Sequence, residues 1–233
     1  KTYVCIRPSM LRLDRSIVAG VCAVGIPAAI QNLLNVTGMT VLNNFTSSFG
    51  ADAVAAMGIA QKINMVPMNI AFGASQGVMP IVGYNYASGN TRRMRKAVVF
   101  SAEITLSFLV LVAVGYFLGS ESIIRLFIEN PDIVAYGSAF LRAMCFGMPF
   151  LSLDFLAVGV FQAVGMGKKA LLFAILRKIV LEIPAIYVLN YFFPLYGLAY
   201  SQLVAEVILA AAAIFTLRRI LSASGSPSRA KQN

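Results

Sequence analysis

The 233-residue chain contains no histidine, only three cysteines, and few charged side chains, which make up 12% of its residues. Without histidine, neither a Ser-His-Asp nor a Cys-His catalytic arrangement can be built. Cys5, Cys22 and Cys145 show no CxxC spacing, so metal sites of the usual Cys and His kinds are not expected. We therefore predict a protein that is not an enzyme and that binds no metal or organic cofactor.

Long stretches of the chain contain almost no charged side chains. Residues 16–51 carry no charged side chain, residues 53–88 carry only Lys62, and residues 97–119 carry only Glu103. Soluble domains contain about 25% charged residues, and uncharged apolar stretches of about 18 residues or more indicate membrane spans. Strands are excluded, since an open sheet cannot leave its edges in lipid. The predicted fold is all-α and polytopic, with six transmembrane helices near residues 16–45, 53–86, 96–118, 133–164, 170–193 and 195–217.

The basic residues lie between alternate spans, and they account for most of the net charge of +10. They form four groups, which are Lys1, Arg7, Arg12 and Arg15; Arg92, Arg93, Arg95 and Lys96; Lys168 and Lys169; and Arg218, Arg219, Arg229 and Lys231. The opposite side holds Arg125 with several acidic residues. Because basic loops stay on the cytoplasmic side of a membrane, both termini are predicted to be cytoplasmic. Topology explains the charge, so nucleic acid is not an expected partner.

Amide side chains recur inside the first two predicted spans. Asn32, Asn35 and Asn43 share one helix face. Such groups either hydrogen-bond between packed helices or line a water-filled cavity. We favour the cavity, and its candidate lining residues are Gln31, Asn32, Asn35, Met39, Asn43, Gln61, Asn64 and Phe161. Glycine and proline recur within the spans and predict bent or interrupted helices, which are frequent in transporters. They are Gly25, Pro27, Pro67, Gly73, Gly77, Pro80, Gly147, Pro149 and Pro184.

One carboxylate, Asp154, lies within the apolar run FLSLDFLAVGVFQAVG at 150–165. It precedes the predicted cytoplasmic turn at Gly165 by about 16 Å of helix, which is near the midplane of a hydrocarbon core about 30 Å thick. Arg142 is about 18 Å away along the same helix and is too far to be a direct partner. Because acids inside a membrane are usually functional, Asp154 is the leading candidate for ion coupling. A structural hydrogen bond to a neighbouring helix is the alternative.

Glu103 and Glu206 are weaker ion-coupling candidates. Both lie inside predicted spans, where an ionisable side chain is costly and is by default a sign of function.

Four segments resemble the multidrug and toxic compound extrusion family of membrane antiporters. They are PIVGYNYASGNTRRMRKA (80–97), GIPAAIQ (25–31), AVAAMGIAQKI (53–63) and FQAVGMGKKALL (161–172), and they occur in the family's order. The resemblance implies a C-terminal six-helix lobe, residues 16–217, of a twelve-helix transporter whose two lobes face each other across a cavity. It also implies export of cationic or amphipathic compounds across the plasma membrane in exchange for H⁺ or Na⁺. Some family members carry an acid in the seventh helix, which residues 16–51 lack.

The expected partners are the lipid bilayer, a cationic or amphipathic small molecule, and an N-terminal six-helix lobe. Residues 1–15 are then a cytoplasmic linker between lobes, and residues 218–233 a basic cytoplasmic tail of disordered composition. Two other functions stay open. A flippase for lipid-linked precursors would want a basic cavity, and the bases inside the spans (Lys62, Arg142, Arg177 and Lys178) form no obvious stripe. The second open function is that of a membrane subunit without transport activity.

Overall fold

The computed structural model describes residues 14–223, and within that range it contains helices and turns but no strand. The elements in chain order are α1 (Arg15–Ser47), α2 (Ala51–Ala87), α3 (Thr91–Arg125), α4 (Pro131–Cys145), α5 (Met148–Ala163), α6 (Gly167–Ile175), a π-helical segment (Leu176–Glu182), α7 (Ile183–Phe192) and α8 (Tyr196–Ala223). The predicted all-α membrane fold is confirmed.

Four of these helices, α1, α2, α3 and α8, are long and apolar enough to cross a membrane. The pair α4 and α5, bent by 51°, makes a fifth. The stretch from α6 through the π segment to α7 is helical without a break over 167–192 and covers all but the last residue of the predicted span 170–193. The six predicted spans thus correspond, in order, to six helical stretches. The fourth is broken near Gly147 and Pro149 and the fifth contains the π segment before Pro184, whereas α1 and α2 continue through Pro27, Pro67 and Pro80.

Local sequence signals set the helix ends. Asn90 accepts a hydrogen bond from the Arg93 backbone N–H at 3.1 Å and caps α3. Asn130 caps α4 in the same way, through the Asp132 N–H at 3.0 Å. Asp14 caps α1, and hydrogen bonds from the Ser16 hydroxyl and backbone N–H lower the pKa of this carboxyl.

Packing separates a crowded interior from a lipid-like exterior. α2 packs against α3, α4 and α5, while α8 packs against α4, α5, α7 and the π segment. Large apolar side chains cover the outside, among them Leu118 and Ile17, which are 77% and 65% exposed. Lipid tails are as apolar as leucine, so this exposure suits a bilayer.

The buried apolar side chains form two main clusters at opposite ends of the helices. One cluster includes Met57 and Phe140 and lies towards the turns at 48–50 and 126–130. The other includes Val160 and Phe161 and lies towards the turns at 88–90 and 164–166. Charged groups are buried between them, as described below. At its C-terminal end α8 continues to Ala223, past residue 217 where the span was predicted to end, and residues 1–13 and 224–233 lie outside the described part of the chain.

Candidate functional site

The centre of the lobe is occupied by α5, the most enclosed helix of the fold. Nearly every residue from Leu151 to Phe161 is buried, because α2, α3, α6 and α8 all pack against this helix. Asp154 is 1% exposed. The carboxylate that the sequence places in an apolar run is therefore also enclosed by protein, where charge needs a partner.

The charged groups that face Asp154 come from the π segment and α8. Asp154 faces the guanidinium of Arg177 and the carboxyl of Glu206. Arg177 and Glu206 form an ion pair, with 2.5 Å between Nη2 and Oε1, and both side chains are almost fully buried. Neither carboxylate oxygen of Asp154 has a hydrogen-bond partner among the described residues. We call Asp154, Arg177 and Glu206 the central charge cluster.

A second buried ion pair lies next to this cluster. Lys178 Nζ is 2.7 Å from Glu182 Oε2, and both residues belong to the π segment. A Cβ atom at Gly38 of α1 would stand 3.1 Å from Lys178 Cδ and 3.3 Å from Glu182 Oε1. Arg177 and Lys178 are consecutive in sequence but pack against different helices, since Arg177 contacts α8 and Lys178 lies against α1.

A small cavity of about 150 Å³ lies between α1, α2 and α5. Its lining is rich in amides and aromatic rings, and consists of Ala28, Gln31, Asn32, Asn35, Met68, Asn69, Phe72, Gln76, Phe155 and Gln162. None of these side chains is charged. The lining suits a polar or amphipathic molecule and carries no basic group of its own.

Phe155 is shared between the cavity and the central charge cluster. Its ring lines the cavity, and the Arg177 guanidinium carbon lies 5.2 Å from the ring centroid. The ring of Phe72, also in the cavity wall, meets Phe155 edge-on at 5.7 Å. One aromatic side chain thus separates the amide-lined space from the guanidinium of Arg177.

The predicted cavity residues divide between this cavity and other places. Gln31, Asn32 and Asn35 line it, whereas Met39, Asn43, Gln61, Asn64 and Phe161 do not. Gln61 Nε2 donates to Asn43 Oδ1 at 3.5 Å, which is the interhelical bond that the sequence left as the alternative. Asn64 is buried in α2 and Met39 is 37% exposed on α1. Phe161 is fully buried, with its ring 5.1 Å from that of Phe173.

The three candidate carboxylates also separate. Asp154 and Glu206 come together in the central charge cluster, although they lie on different helices. Glu103 is exposed on α3 and borders a surface groove of about 890 Å³ together with Arg92, Arg93, Arg95 and Lys96. Glu103 therefore belongs to the basic end of α3 and not to the buried cluster.

Sequence reasoning missed the importance of Arg177 and Lys178. Both were noted as bases inside a span, but their partners are Glu206 on another helix and Glu182 four residues on. The i,i+4 spacing of 178 and 182 was a readable signal. Arg142, the other basic residue on the bent span of Asp154, donates from Nε to Ser120 Oγ at 2.7 Å.

The sequence is similar to that of known membrane transport proteins. The sequence profile of the MatE family matches residues 27–188. Multidrug export protein MepA of Staphylococcus haemolyticus is 35% identical over 82% of this chain and 42% of its own length. Multidrug export protein MepA of Staphylococcus saprophyticus is 32% identical over 88% of this chain and 45% of its own. The chain spans somewhat less than half the length of these curated relatives.

The fold also matches solved structures. A multidrug resistance MATE family transporter in an outward-facing conformation superimposes with a TM-score of 0.87 at 21% identity, covering 96% of this chain and 51% of that one. The MATE transporter VcmN of Vibrio cholerae, in its bent form, gives 0.84 at 20% identity, covering 91% of this chain and 49% of that one. The helices described here therefore reproduce about half of a transporter of this fold.

Proposed function

This chain belongs to the MatE family, and we propose that it is the C-terminal lobe of an ion-coupled antiporter that exports cationic or amphipathic compounds across the plasma membrane. The names of its relatives support multidrug export, and their length, about twice that of this chain, supports a second lobe. The coupling ion is H⁺ or Na⁺. The observation that carries the proposal is a buried, unpaired Asp154 one aromatic ring away from an amide-lined cavity.

The arrangement supplies the elements of exchange. With Asp154 ionised, the central charge cluster, whose Arg177 lies against Phe155, carries a net negative charge and favours a cation in the cavity. With Asp154 neutralised by the coupling ion, that attraction is lost and the cation is released. The ion and the substrate therefore alternate, because both are attracted by the same carboxylate. Its charge acts over a long distance because little water screens it in the buried interior.

The uncharged lining also bears on the competing functions. A flippase for lipid-linked precursors would need basic groups to hold phosphate, and the cavity described here has none. The two buried bases of the described chain, Arg177 and Lys178, are already paired with carboxylates. The neutral lining favours a cationic or amphipathic substrate over an anionic one.

The orientation of the lobe follows from its basic groups, which favour the cytoplasmic side for both termini. Asn90 then faces the cytoplasm and Ser48 the outside. Single cysteines at these positions, in a background without the native cysteines, should react with an impermeant thiol reagent in intact cells at position 48 only. Labelling at 90 and not at 48 would reverse the orientation.

A complementation experiment tests the function itself. Cells would express this chain alone, the chain together with an N-terminal six-helix lobe, or neither, and efflux of a fluorescent organic cation would be followed. We expect export only when both lobes are present, because α1, α2 and α5 supply one wall of the cavity. Export by the chain alone would contradict the two-lobe proposal, and its absence with both lobes in the membrane would contradict the transport proposal.

A further inference from the structure

The buried interior contains an odd number of charged groups. All nine carboxylic side chains of the sequence are among the described residues, and three of them are buried, namely Asp154, Glu182 and Glu206. The buried bases are Arg177 and Lys178. If every group were ionised, the interior would hold one negative charge more than it can pair.

The pairing identifies the residue that is left over. Arg177 is matched to Glu206 at 2.5 Å and Lys178 to Glu182 at 2.7 Å. Asp154 faces Arg177 and lies against the carboxyl of Glu206, but within the described structure it forms no ion pair and no donor group reaches its oxygens. A carboxylate that stays ionised, unpaired and out of water costs several kcal/mol or more, so Asp154 requires one neutralising positive charge.

Resting on the proposed function, we propose that Arg177 is a positioning residue that pairs with Glu206 and so limits the central charge cluster to one coupling proton, held by Asp154. The proton adds to an oxygen of Asp154 and gives a neutral carboxylic acid beside a closed ion pair. On release, the cluster gains one negative charge and no other group changes its protonation.

The surroundings of Asp154 favour a proton over Na⁺. A metal cation prefers a shell of several oxygen ligands, and within the described chain no three acidic, histidine or cysteine side chains come together to provide one. The positive charge of Arg177 also opposes the binding of a metal cation beside it. A proton needs only one oxygen.

The same geometry links the proton to the substrate. Arg177 lies over one face of Phe155, whose ring also lines the cavity. Protonated Asp154 leaves the cluster neutral and ionised Asp154 leaves it at a net charge of one negative unit. The lobe therefore exchanges one proton for each monovalent cation, and Arg177 sets this number by removing Glu206 from the exchange.

Counting protonated carboxyl groups tests the proposal without any transport measurement. The purified chain in lipid nanodiscs at neutral pH would be examined by infrared spectroscopy, using the C=O stretching band of the protonated carboxyl. Relative to the wild type, Asp154→Asn should lose the intensity of one group. Glu206→Gln should lose one as well, since Asp154 then pairs with Arg177 as a carboxylate. Arg177→Gln should gain one, because Glu206 loses its counterion.

The charge-balanced double variant is the critical case. Arg177→Gln with Glu206→Gln removes the whole ion pair and should match the wild type, and adding Asp154→Asn should then remove one group. The exposed residue Glu121, which pairs with Arg125, gives the control, and Glu121→Gln should change nothing. If Glu206→Gln does not reach the membrane, the double and triple variants decide the question.

Two results would overturn the proposal. The first is a Glu206→Gln protein whose C=O band is as intense as that of the wild type. The second is an Arg177→Gln, Glu206→Gln double variant whose band is weaker than that of the wild type by one carboxyl group. Proton-coupled export by the two-lobed protein combined with either result would refute this inference and leave the proposed function standing. The expected band pattern in a two-lobed protein that exports nothing would support this inference and refute the proposed function.

Discussion

Two ion pairs of the same chemistry lie in opposite environments in this lobe. Arg125 and Glu121 are 2.6 Å apart at the end of α3, with side chains 66% and 55% exposed. Arg177 and Glu206 are 2.5 Å apart, with side chains 7% and 0% exposed. Distance alone does not distinguish them. What differs is the water around each group, and therefore what happens when one partner is removed.

Water replaces the missing partner of the exposed pair, and a pair of this kind contributes only about 0.2–1 kcal/mol. The buried pair has no such replacement, and removing one partner of such a pair costs about 3–5 kcal/mol. A buried pair is nevertheless often no more stabilising than apolar side chains of the same volume. Stability is therefore a weak reason for a chain to place five charged groups in a membrane interior, and function is the stronger one.

The largest effect is expected for Arg177→Gln. It leaves Glu206 and Asp154 facing each other without a cation, and the free energy of unfolding should fall by about 3–5 kcal/mol. Glu206→Gln should cost less, because Asp154 becomes an available partner for Arg177. Thermal or denaturant unfolding in detergent would compare the two variants. Equal losses would show that Asp154 does not interact with Arg177.

An intermediate effect is expected at Gly159, one turn beyond Asp154 on the same helix. An added Cβ would collide with the Ser75 hydroxyl, which donates to the Phe155 carbonyl at 2.6 Å. Gly159→Ala should therefore destabilise the lobe by about 1–3 kcal/mol through overpacking. Gly115→Ala is the matched control, since nothing lies within 4 Å of its added Cβ. It should be neutral or stabilising by up to about 1 kcal/mol, and similar losses at both positions would contradict the packing described.

The smallest effect is expected for Glu121→Gln. The i,i+4 pair with Arg125 is exposed, so its loss should change the unfolding free energy by at most about 0.5 kcal/mol, and less at high salt. The same unfolding assay would measure it beside Arg177→Gln. A loss that approached that of the buried pair would remove the contrast between the two environments.

Much of the fold could be predicted because a bilayer imposes few solutions on a chain. Long uncharged stretches that cross a bilayer have to be helices. The family resemblance assigned them to the second six helices of a twelve-helix transporter. Gly147 and Pro149 indicated an interruption, and α4 and α5 meet there at 51°. The π segment was less predictable, although Pro184 lies two residues after its end. Its wider turn moves the faces of Arg177 and Lys178 away from those that a regular helix would give them.

The candidate site was predictable in its central carboxylate and not in its partners. Periodicity assigns a residue to a helix face but does not say which helix that face meets. Asp154 could therefore be singled out from its own run, while its contact with Glu206 and Arg177 depends on how α8 and the π segment pack against α5. The amides on α1 divide for the same reason, since Asn32 and Asn35 face a cavity and Asn43 bonds to Gln61.

Proton release on substrate binding, measured with and without Asp154, tests the central claim most directly. The two-lobed protein in proteoliposomes with a trapped pH indicator should release one proton per monovalent cationic substrate bound. The Asp154→Asn variant, which keeps the shape of the side chain, should bind the cation more weakly and release none. If that variant reaches the membrane and exchanges protons for substrate as the wild type does, Asp154 is structural and the proposed mechanism of this lobe is wrong.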